Sequence, residues 1–554
     1  MARWQGRIPL FVGVSGHRSL HPEDALAVRE RLQPFLDGLR ASLRSTPVVV
    51  VSRLAEGVDQ LVVSIAVESG CESAYVPPVD RDAYRASFQS DAARAEFDRL
   101  SALSTLQDPA SGHPGEVPLE RGYALAGHYI ARHATILLAV WDGAGPAEHG
   151  NTADVVRMRA SAWIGPGTGA VYHLPLRPRE PRSDQPQPRI DPVDGRTPDI
   201  AAAAQELSAA HAIEASGWEH VEEFNRAVLA AGHRITELGA AHPFEFVTDA
   251  RFNAVAMVLT AARTLAADLQ SSVRRRKLAL QVIAFLAAIS FVVIFKTNGA
   301  RWLVWIYLAL LAAALTLRTL TRREAIHRRY LDYRCLTEGL RVVLFWRLAG
   351  LNGDPGVHTV TVRLISRQDP SLLWIASALS GLAGWIGRLE LPAGFDGFDF
   401  AARHWLGSDA SDEPGAQIPY YRRAAHGRRR LATRLDRIAQ VTLISGILAA
   451  AALALLPMGL VGKAAPFLLA FMGFLPLVSS TASGIADLPA ELGIARQYEG
   501  MADLLESAGR RLAASTSDAE RRQVLFEAGT SALAEHSFWH TVFRERAPER
   551  RVRV

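Results

Sequence analysis

Two pairs of long, uncharged apolar runs dominate the hydrophobic pattern of the chain. The first pair covers residues 278–295 and 302–317, and the second covers 441–460 and 464–486. A helix needs about 20 apolar residues, with a range of roughly 17–25, to cross the hydrocarbon core of a bilayer. Soluble helices of this length seldom lack a charged face. The pattern therefore predicts four membrane-spanning helices in two hairpins rather than buried core helices.

The first 176 residues have a different pattern, in which short apolar runs alternate with segments of helical periodicity. Five of these runs predict buried strands, at residues 8–14, 48–51, 74–76, 135–141 and 170–174. Strands that alternate with helices form parallel sheets covered on both faces. The predicted fold class is therefore an α/β, Rossmann-like parallel sheet domain followed by an α-helical four-span transmembrane region.

Basic residues concentrate at the outer ends of the two hairpins, at 274–277, 318–323 and 422–437. The positive-inside rule then predicts a multi-pass protein of the inner membrane, with both termini and the segment between the hairpins in the cytoplasm. Basic residues beside spans suit contact with the lipid bilayer and its anionic headgroups. Since no basic patch is interleaved with aromatic residues, we expect no nucleic-acid partner for this chain of net charge +5.

Length and cysteine content narrow the class further. A chain of 554 residues predicts more than one domain. Its two cysteines, Cys71 and Cys335, are too few for a disulfide framework or a zinc site, so we expect no metal and no cofactor. The first 20 residues lack a long apolar core, so no signal peptide is predicted.

The same patterns predict five domains or segments along the chain. They are a ligand-binding domain at 1–176, a linker and helical stalk at 177–270, a first hairpin with an amphipathic helix at 271–350, a cytoplasmic connecting segment at 351–437, and a second hairpin with C-terminal cytoplasmic helices at 438–554.

Glycine-containing loops follow three of the predicted strands, at the sheet edge where such folds bind ligands. The first loop is residues 13–18, the second is 52–59, and the third is 141–143 with 150–154. In the first loop, glycines let backbone N–H groups approach a phosphate with which Arg18 would pair. In the second, Gly57 opens a helix whose N-terminus attracts anions. In the third, Thr152 either caps its helix or donates to a phosphate. Each loop alone also fits an ordinary turn, but three on one edge predict a pocket of nucleotide type. The candidate ligand-binding residues are Gly13, Ser15, Gly16, His17, Arg18, Glu56, Gly57, Asp59, Asp142, Gly143, Gly150, Asn151, Thr152 and Asp154.

These loops resemble the SLOG superfamily, a Rossmann-like group that includes the DNA-processing protein DprA and the LOG nucleotide phosphoribohydrolases. The matching stretches are 14–18, 54–59, 141–143 and 150–154, and the resemblance covers residues 8–176. Many relatives have Gly-Gly-Thr where this chain has Gly150, Asn151 and Thr152. The Pro-Gly-Gly start and the helical Glu of the catalytic LOG signature are absent. The resemblance therefore implies binding of a nucleotide-derived ligand more strongly than hydrolysis, and it leaves enzymatic activity uncertain.

An amphipathic helix is predicted after each hairpin, at 325–348 and 488–512. Tyr333 and Tyr498 hold corresponding positions in them, which indicates a weak internal duplication, although chance similarity of amphipathic helices explains it too. Together with residues 341–350 and 420–430, these segments resemble SLATT domains, two-span modules found beside SLOG genes in bacteria. That resemblance implies a membrane-damaging effector of a bacterial conflict or defence system.

Two functions of different classes follow from these patterns. The first is a membrane effector in which the cytoplasmic domain senses a nucleotide-derived ligand and controls four spans that self-associate as a homo-oligomer or open. The spans contain no Asp, Glu, Lys or Arg, which argues against a proton-coupled transporter. The alternative is a membrane-tethered, phosphoribohydrolase-like enzyme with acid–base residues among Glu56, Asp59, Asp142, Asp154 and His17. A scaffold with a vestigial pocket is a third possibility.

Overall fold

The computed structural model describes residues 4–107, 118–143, 150–160, 171–177, 217–239, 244–296, 301–323, 326–351, 372–408, 415–455, 464–486 and 488–545. The chain divides into two compact units, and each combines segments that are distant in sequence. The sheet unit consists of Met1–Leu265, Asp332–Gly397 and Leu525–Phe543. The span unit consists of Ala266–Leu331, Phe398–Val524 and Arg544–Val554.

A six-stranded sheet forms the centre of the sheet unit. Its strands are β1 (Leu10–Gly16), β2 (Val48–Ser52), β3 (Glu72–Tyr75), β4 (Thr105–Leu106), β5 (Ile136–Trp141) and β6 (Val171–Pro175). All neighbouring strands are parallel, in the order β4-β3-β2-β1-β5-β6. The five predicted strands are confirmed, and the short edge strand β4 was not predicted. Strand order reverses direction between β1 and β5, which is where ligands bind in open α/β sheets.

Helices cover this sheet in the way that the alternating pattern predicts. The helices up to residue 239 are α1 (Pro22–Ser42), α2 (Val58–Glu68), α3 (Arg81–Ala86), α4 (Asp91–Leu103), α5 (Leu119–His133), α6 (Thr152–Ala160), α7 (Trp218–Ala230) and α8 (Gly232–Gly239). Helices α1, α2, α5 and α6 match the segments 22–43, 57–69, 123–132 and 152–162, where the sequence pattern predicts helices, whereas α3 and α4 were not predicted. Every residue of β2 and β5 is buried, as expected for parallel strands covered on both faces.

Helix α7 lies in the segment predicted as a linker and stalk, and it is fastened to the sheet unit by buried polar contacts. The Asn225 amide accepts a hydrogen bond from the Ile8 N–H at 2.7 Å and donates one to the Ile8 carbonyl at 2.8 Å. The Glu222 carboxylate accepts from the Ser45 N–H at 2.9 Å and from the Thr46 hydroxyl at 2.7 Å. These contacts make α7 part of the sheet unit's core.

The later helices are mostly longer. They are α9 (Ala250–Lys296), α10 (Arg301–Arg323), α11 (Ile326–Leu348), α12 (Leu373–Ile386), α13 (Gly397–Ala401), α14 (Gln417–Leu455), α15 (Ala465–Ala486), α16 (Leu488–Ala514) and α17 (Asp518–Glu545), with a π-helical turn at Ala402–Leu406.

Four of these helices are long and apolar enough to cross a membrane, in agreement with the four predicted spans. They are Ala250–Ile294, Arg301–Leu320, Gln417–Leu455 and Ala465–Ser483. Their most apolar stretches are only 6–17% buried, so most of that apolar surface is free to face lipid. The end of the third predicted span, residues 456–460, lies outside the described residues.

Helix α12 is also apolar, but it is a core helix of the sheet unit. It has 14 residues, fewer than a span needs, and most of them are buried. The Tyr129 hydroxyl of α5 donates a hydrogen bond to the Gly384 carbonyl at 2.6 Å, and His133 Nδ1 lies 2.8 Å from the Ser380 carbonyl oxygen. Burial lowers the pKa of His133 to about 3, so this imidazole is neutral at physiological pH.

Candidate functional site

A cavity of about 600 Å³ lies where β1 and β5 end, within the sheet unit. Its volume is within the range of roughly 300–1,000 Å³ that is usual for small-molecule sites. Six predicted ligand-binding residues line it: Gly16, His17, Arg18, Gly150, Asn151 and Thr152. The other described lining residues are Arg53, Ala55, Leu119, Glu120, Tyr123, Trp141 and Ala153. The structure therefore brings the first and third predicted loops together at the point where strand order reverses.

Arg53, in the wall of this cavity, links the first and third loops by hydrogen bonds. Its side chain is only 4% exposed, and its guanidinium donates to the Gly150 carbonyl at 2.7 Å and to the Ser15 hydroxyl at 3.0 Å. The Ser15 hydroxyl in turn donates to the Thr152 hydroxyl oxygen at 3.3 Å. One arginine from the end of β2 thus holds the ends of β1 and the start of α6 in fixed positions.

Asp59 is the acidic partner of Arg53. Its carboxylate is fully buried, and its Oδ2 lies 3.8 Å from Arg53 Nε. Burial raises the pKa of the Asp59 carboxyl, and the Arg53 guanidinium opposes that shift. Asp59 is therefore the counter-ion of a cavity-lining arginine and is not itself among the described lining residues.

Two guanidinium groups and one aromatic ring give the cavity its chemical character. Arg18 Cζ lies 4.3 Å from the centroid of the Tyr123 ring, and Arg53 Cζ lies 5.7 Å from the same centroid. Helix α6 begins at the cavity with Thr152, and a helix N-terminus carries partial positive charge. Glu120 is the only carboxylate among the described lining residues. Because Arg53 already has Asp59 as its counter-ion, Arg18 and the start of α6 are the positive groups that favour an anionic ligand.

His17 and Asp142 form a contact at the edge of the cavity. His17 Nε2 lies 3.1 Å from Asp142 Oδ1 and 3.2 Å from the Asp142 backbone N. The tautomer with a proton on Nε2 donates to the carboxylate, and the other tautomer accepts from the backbone N–H. The side chain of Asp142 is 7% exposed and that of His17 is 17% exposed. Asp142 is therefore not a described lining residue itself, but it contacts His17, which lines the cavity.

Asp154 organises the third loop. Its carboxylate accepts from the Gly150 N–H at 3.0 Å and contacts His128 Nε2 and Arg157 Nη2, each at 3.1 Å. Although burial acts to raise the pKa of Asp154, the Gly150 N–H and His128 lower it below the usual range. The Asn151 side chain accepts from the Asp154 N–H at 2.9 Å. The cap of α6 is therefore Asn151 rather than Thr152, whose hydroxyl is engaged with Ser15.

Replacing Asp154 by alanine is expected to destabilise the third loop by about 1–3 kcal/mol, because the buried Gly150 N–H loses its acceptor. The native carboxylate has a lowered pKa, so its stabilising contribution is present at neutral pH and is lost as the pH falls through that value. The stability lost in the Asp154→Ala variant should therefore become smaller at acidic pH. Amide hydrogen exchange in residues 150–160 measures the effect. Asp91→Ala is the matched control, since Asp91 pairs with Arg94 while 98% exposed, and its effect should stay within about 0.5 kcal/mol.

The remaining predicted residues shape the loops. The Glu56 carboxylate accepts from the Gln89 N–H at 2.9 Å and the Ser90 hydroxyl at 3.1 Å, which anchors the start of α4. Gly57 has a φ of +91°, and a Cβ there would lie 2.2 Å from the Arg18 carbonyl oxygen. Gly143 also has a positive φ, of +74°. Gly13 lies inside the sheet, where a Cβ would come within 2.7 Å of Ile130 and Ala134 on the α5 side.

Sequence reasoning missed several lining residues, and Arg53 and Tyr123 matter most. Arg53 immediately follows a buried strand, so its position at the binding edge of the sheet was a usable signal. Tyr123 and Glu120 lie on α5, far from any glycine loop in sequence, and only the topology of the sheet brings them to the cavity.

No protein-family model matches this chain, and no curated protein matches it either. The SLOG and SLATT resemblances therefore stay predictions.

Proposed function

We propose that the sheet unit binds a nucleotide-derived, phosphate-containing ligand in the cavity, and that binding controls a membrane module built from the four spans. The observation that carries the proposal is the cavity itself, which lies at the reversal point of a parallel sheet. A membrane effector combines both halves of the chain in one activity, since four apolar helices follow the sheet domain.

Phosphate suits the positive groups of the cavity. Arg18 lines it, and guanidinium groups bind phosphate oxygens through paired donors, whereas the donors of Arg53 already hold the Gly150 carbonyl and the Ser15 hydroxyl. Gly16 and Gly150 line the same space, and a Cβ on either would collide with Val58 or with the α5 backbone, so glycine allows the close packing of the cavity wall. The start of α6 adds helix-dipole attraction for an anion.

A nucleoside portion fits the aromatic part of the lining. The partly buried Tyr123 lines the cavity, and planar bases stack on aromatic rings, whereas Trp141 is only 5% exposed and packs against Ala139 and Ala153. The Tyr123 ring already has a guanidinium against it in Arg18. A ligand that combines a base with phosphate therefore matches the lining better than a free phosphate does.

Control of the membrane module is proposed to pass along the chain. Helix α9 is continuous from Ala250 to Lys296. Its first part belongs to the sheet unit, where Phe252, Val255 and Val258 are buried. Its later part is a candidate span. To switch the module, the ligand must favour one state of the protein by a few kcal/mol. The SLATT resemblance supports permeabilisation of a bacterial inner membrane by a self-associated form, with the termini cytoplasmic.

Binding is tested by thermal shift of the full-length protein in detergent against nucleotides, cyclic oligonucleotides and NAD derivatives. The full chain is needed because the sheet unit includes residues 332–397 and 525–543. A ligand at a hundredfold excess over its Kd should stabilise the protein by about 2.7 kcal/mol. Arg18→Ala should abolish the shift, whereas the control Arg31→Ala, at an exposed site on α1, should retain it.

Failure of every compound to shift the protein would contradict ligand binding. A shift that survives Arg18→Ala would place the ligand elsewhere. Leakage of vesicles that contain the protein then tests control, because a saturating ligand that never changes leakage contradicts the effector role while leaving binding intact.

The enzymatic alternative is favoured by one observation, the contact between His17 and Asp142 at the cavity. An aspartate that orients a histidine is a common arrangement for general acid–base catalysis. Glu120 also lines the space. Product analysis of the same ligand samples separates the two functions, since an enzyme converts its ligand and a sensor returns it unchanged.

A further inference from the structure

One face of α14 changes from basic to apolar where the span begins. Arg430, Arg434 and Arg437 are all exposed, and their spacing places them on the same side of the helix. The apolar residues that continue this side are also exposed, Val441 by 63%, Ile444 by 56% and Leu448 by 63%. We call these three arginines the arginine stripe, and it runs directly into surface that is free to face lipid.

Other arginines of the same helix are neutralised within the span unit. Arg422 contacts Asp503 at 2.6 Å and Glu506 at 3.0 Å, and Arg429 contacts Glu499 at 2.9 Å. These acids all lie on α16. In contrast, none of the three stripe arginines forms an ion pair with a residue in the described part of the chain. Within the described residues, the helix therefore has acidic partners on the side of Arg422 and Arg429 and none on the side of the arginine stripe.

The position of the stripe along the helix matches the depth of a lipid headgroup layer. At 1.5 Å per residue, Arg437 lies about 6 Å and Arg434 about 10 Å before Val441. The headgroup region adds roughly 5–8 Å to each side of the hydrocarbon core. Long arginine side chains extend toward the interface. Arg434 and Arg437 therefore reach the phosphates, and Arg430 lies within the range of the surface potential.

We infer that the arginine stripe binds the phosphate groups of anionic membrane lipids and gives this protein a preference for them. The inference rests on the part of the proposed function that places the four helices across a bilayer. It is independent of ligand binding in the cavity. A nucleic-acid backbone carries similar charge, but the continuity of the stripe with exposed span surface favours lipid.

The test uses the full-length protein in phosphatidylcholine bilayers that contain either spin-labelled phosphatidylglycerol or spin-labelled phosphatidylcholine. Electron paramagnetic resonance gives the fraction of each lipid held at the protein surface. We expect phosphatidylglycerol to associate about fivefold more strongly, the factor that corresponds to one basic side chain at an anionic surface. High salt should reduce this preference.

Three variants separate the stripe from general charge. The triple variant R430Q/R434Q/R437Q should reduce the preference to about half or less, and R430K/R434K/R437K should retain it. The control R31Q/R44Q/R226Q removes the same charge from exposed sites on or beside helices of the sheet unit and should leave the preference unchanged.

Absence of any preference in the wild-type protein would overturn the inference, as would a preference that survives the glutamine triple variant. Stripe-dependent binding of an oligonucleotide without lipid selectivity would overturn it in favour of nucleic acid. Ligand-induced thermal shifts are measured on the same variants, so failure of this inference is distinguishable from failure of the proposed function.

Discussion

Replacing Arg53 by methionine is expected to destabilise the sheet unit by about 3–5 kcal/mol, because it leaves the buried Asp59 carboxylate without a paired cation. The loss extends to the cavity, since Arg53 also donates to the Gly150 carbonyl and the Ser15 hydroxyl. The loops after β1 and β5 are therefore expected to separate, and ligand-induced stabilisation should disappear with them.

The pH dependence of this variant follows from the protonation of Asp59. A carboxyl whose pKa is raised by folding stabilises the folded protein at low pH, and that contribution is lost as the pH rises through the folded-state pKa. Without Arg53 the pKa of Asp59 rises further. The deficit of Arg53→Met should therefore be smallest in acid, where Asp59 is protonated, and should grow toward neutral pH.

Amide hydrogen exchange of β1 and β5 in the full-length protein measures this effect locally. The matched control is Arg29→Met, which breaks the exposed Arg29–Glu68 pair and should cost less than about 1 kcal/mol. The double variant R53M/D59L should regain part of the lost stability, because removing both charges leaves no buried ion unpaired. Equal effects of Arg53→Met and Arg29→Met would show that the buried pair does not hold the loops.

Replacing Gly57 by alanine is expected to cost about 3 kcal/mol or more, because two separate penalties combine at this residue. Its φ of +91° is unfavourable for any residue with a side chain. In addition, the new Cβ would lie 2.2 Å from the Arg18 carbonyl oxygen, so the first loop must move. Arg18 would move with it, and ligand affinity should fall together with stability.

Gly350→Ala is the control that separates the two penalties. Gly350 has a φ of +72°, and a Cβ there meets no described atom within 4 Å. This substitution should cost only the conformational penalty of about 1–2 kcal/mol. Hydrogen exchange of β1 and α2 reports on Gly57→Ala, and a thermal shift of the full chain compares both variants. A Gly57→Ala variant that is no less stable than Gly350→Ala would argue against the close contact with Arg18.

The sheet was predictable because its central strands are buried along their whole length. Residues 48–51 are all valine, and such a run predicts a strand between two covering layers. The edge strand β4 has only two paired residues, too few for any periodic signal. Helices α3 and α4 were missed although they bury Tyr84 and Phe97, because the residues around them are mostly polar or charged.

The cavity was predictable only where a local pattern marks it. Glycines in the first and third loops indicated the binding edge, since their spacing after apolar runs is visible in the sequence. Tyr123 approaches Arg18 through the crossing of α5 over the sheet, and Asn225 reaches Ile8 across 217 residues of chain. Contacts of that kind depend on topology, for which local periodicity carries no information. The core role of α12 was missed for the same reason.

The division of the sheet unit among three chain segments has a consequence for biosynthesis. The indole of Trp346 donates a hydrogen bond to the Leu525 carbonyl at 2.9 Å, and the pair is 179 residues apart. At roughly 5–20 residues per second, about 10–35 s of translation separate the two. Both helices of the second hairpin are made in that interval. The cavity-bearing unit is therefore complete only after all four spans have been synthesised, and chains that terminate between residues 487 and 524 carry the spans without a finished sheet unit.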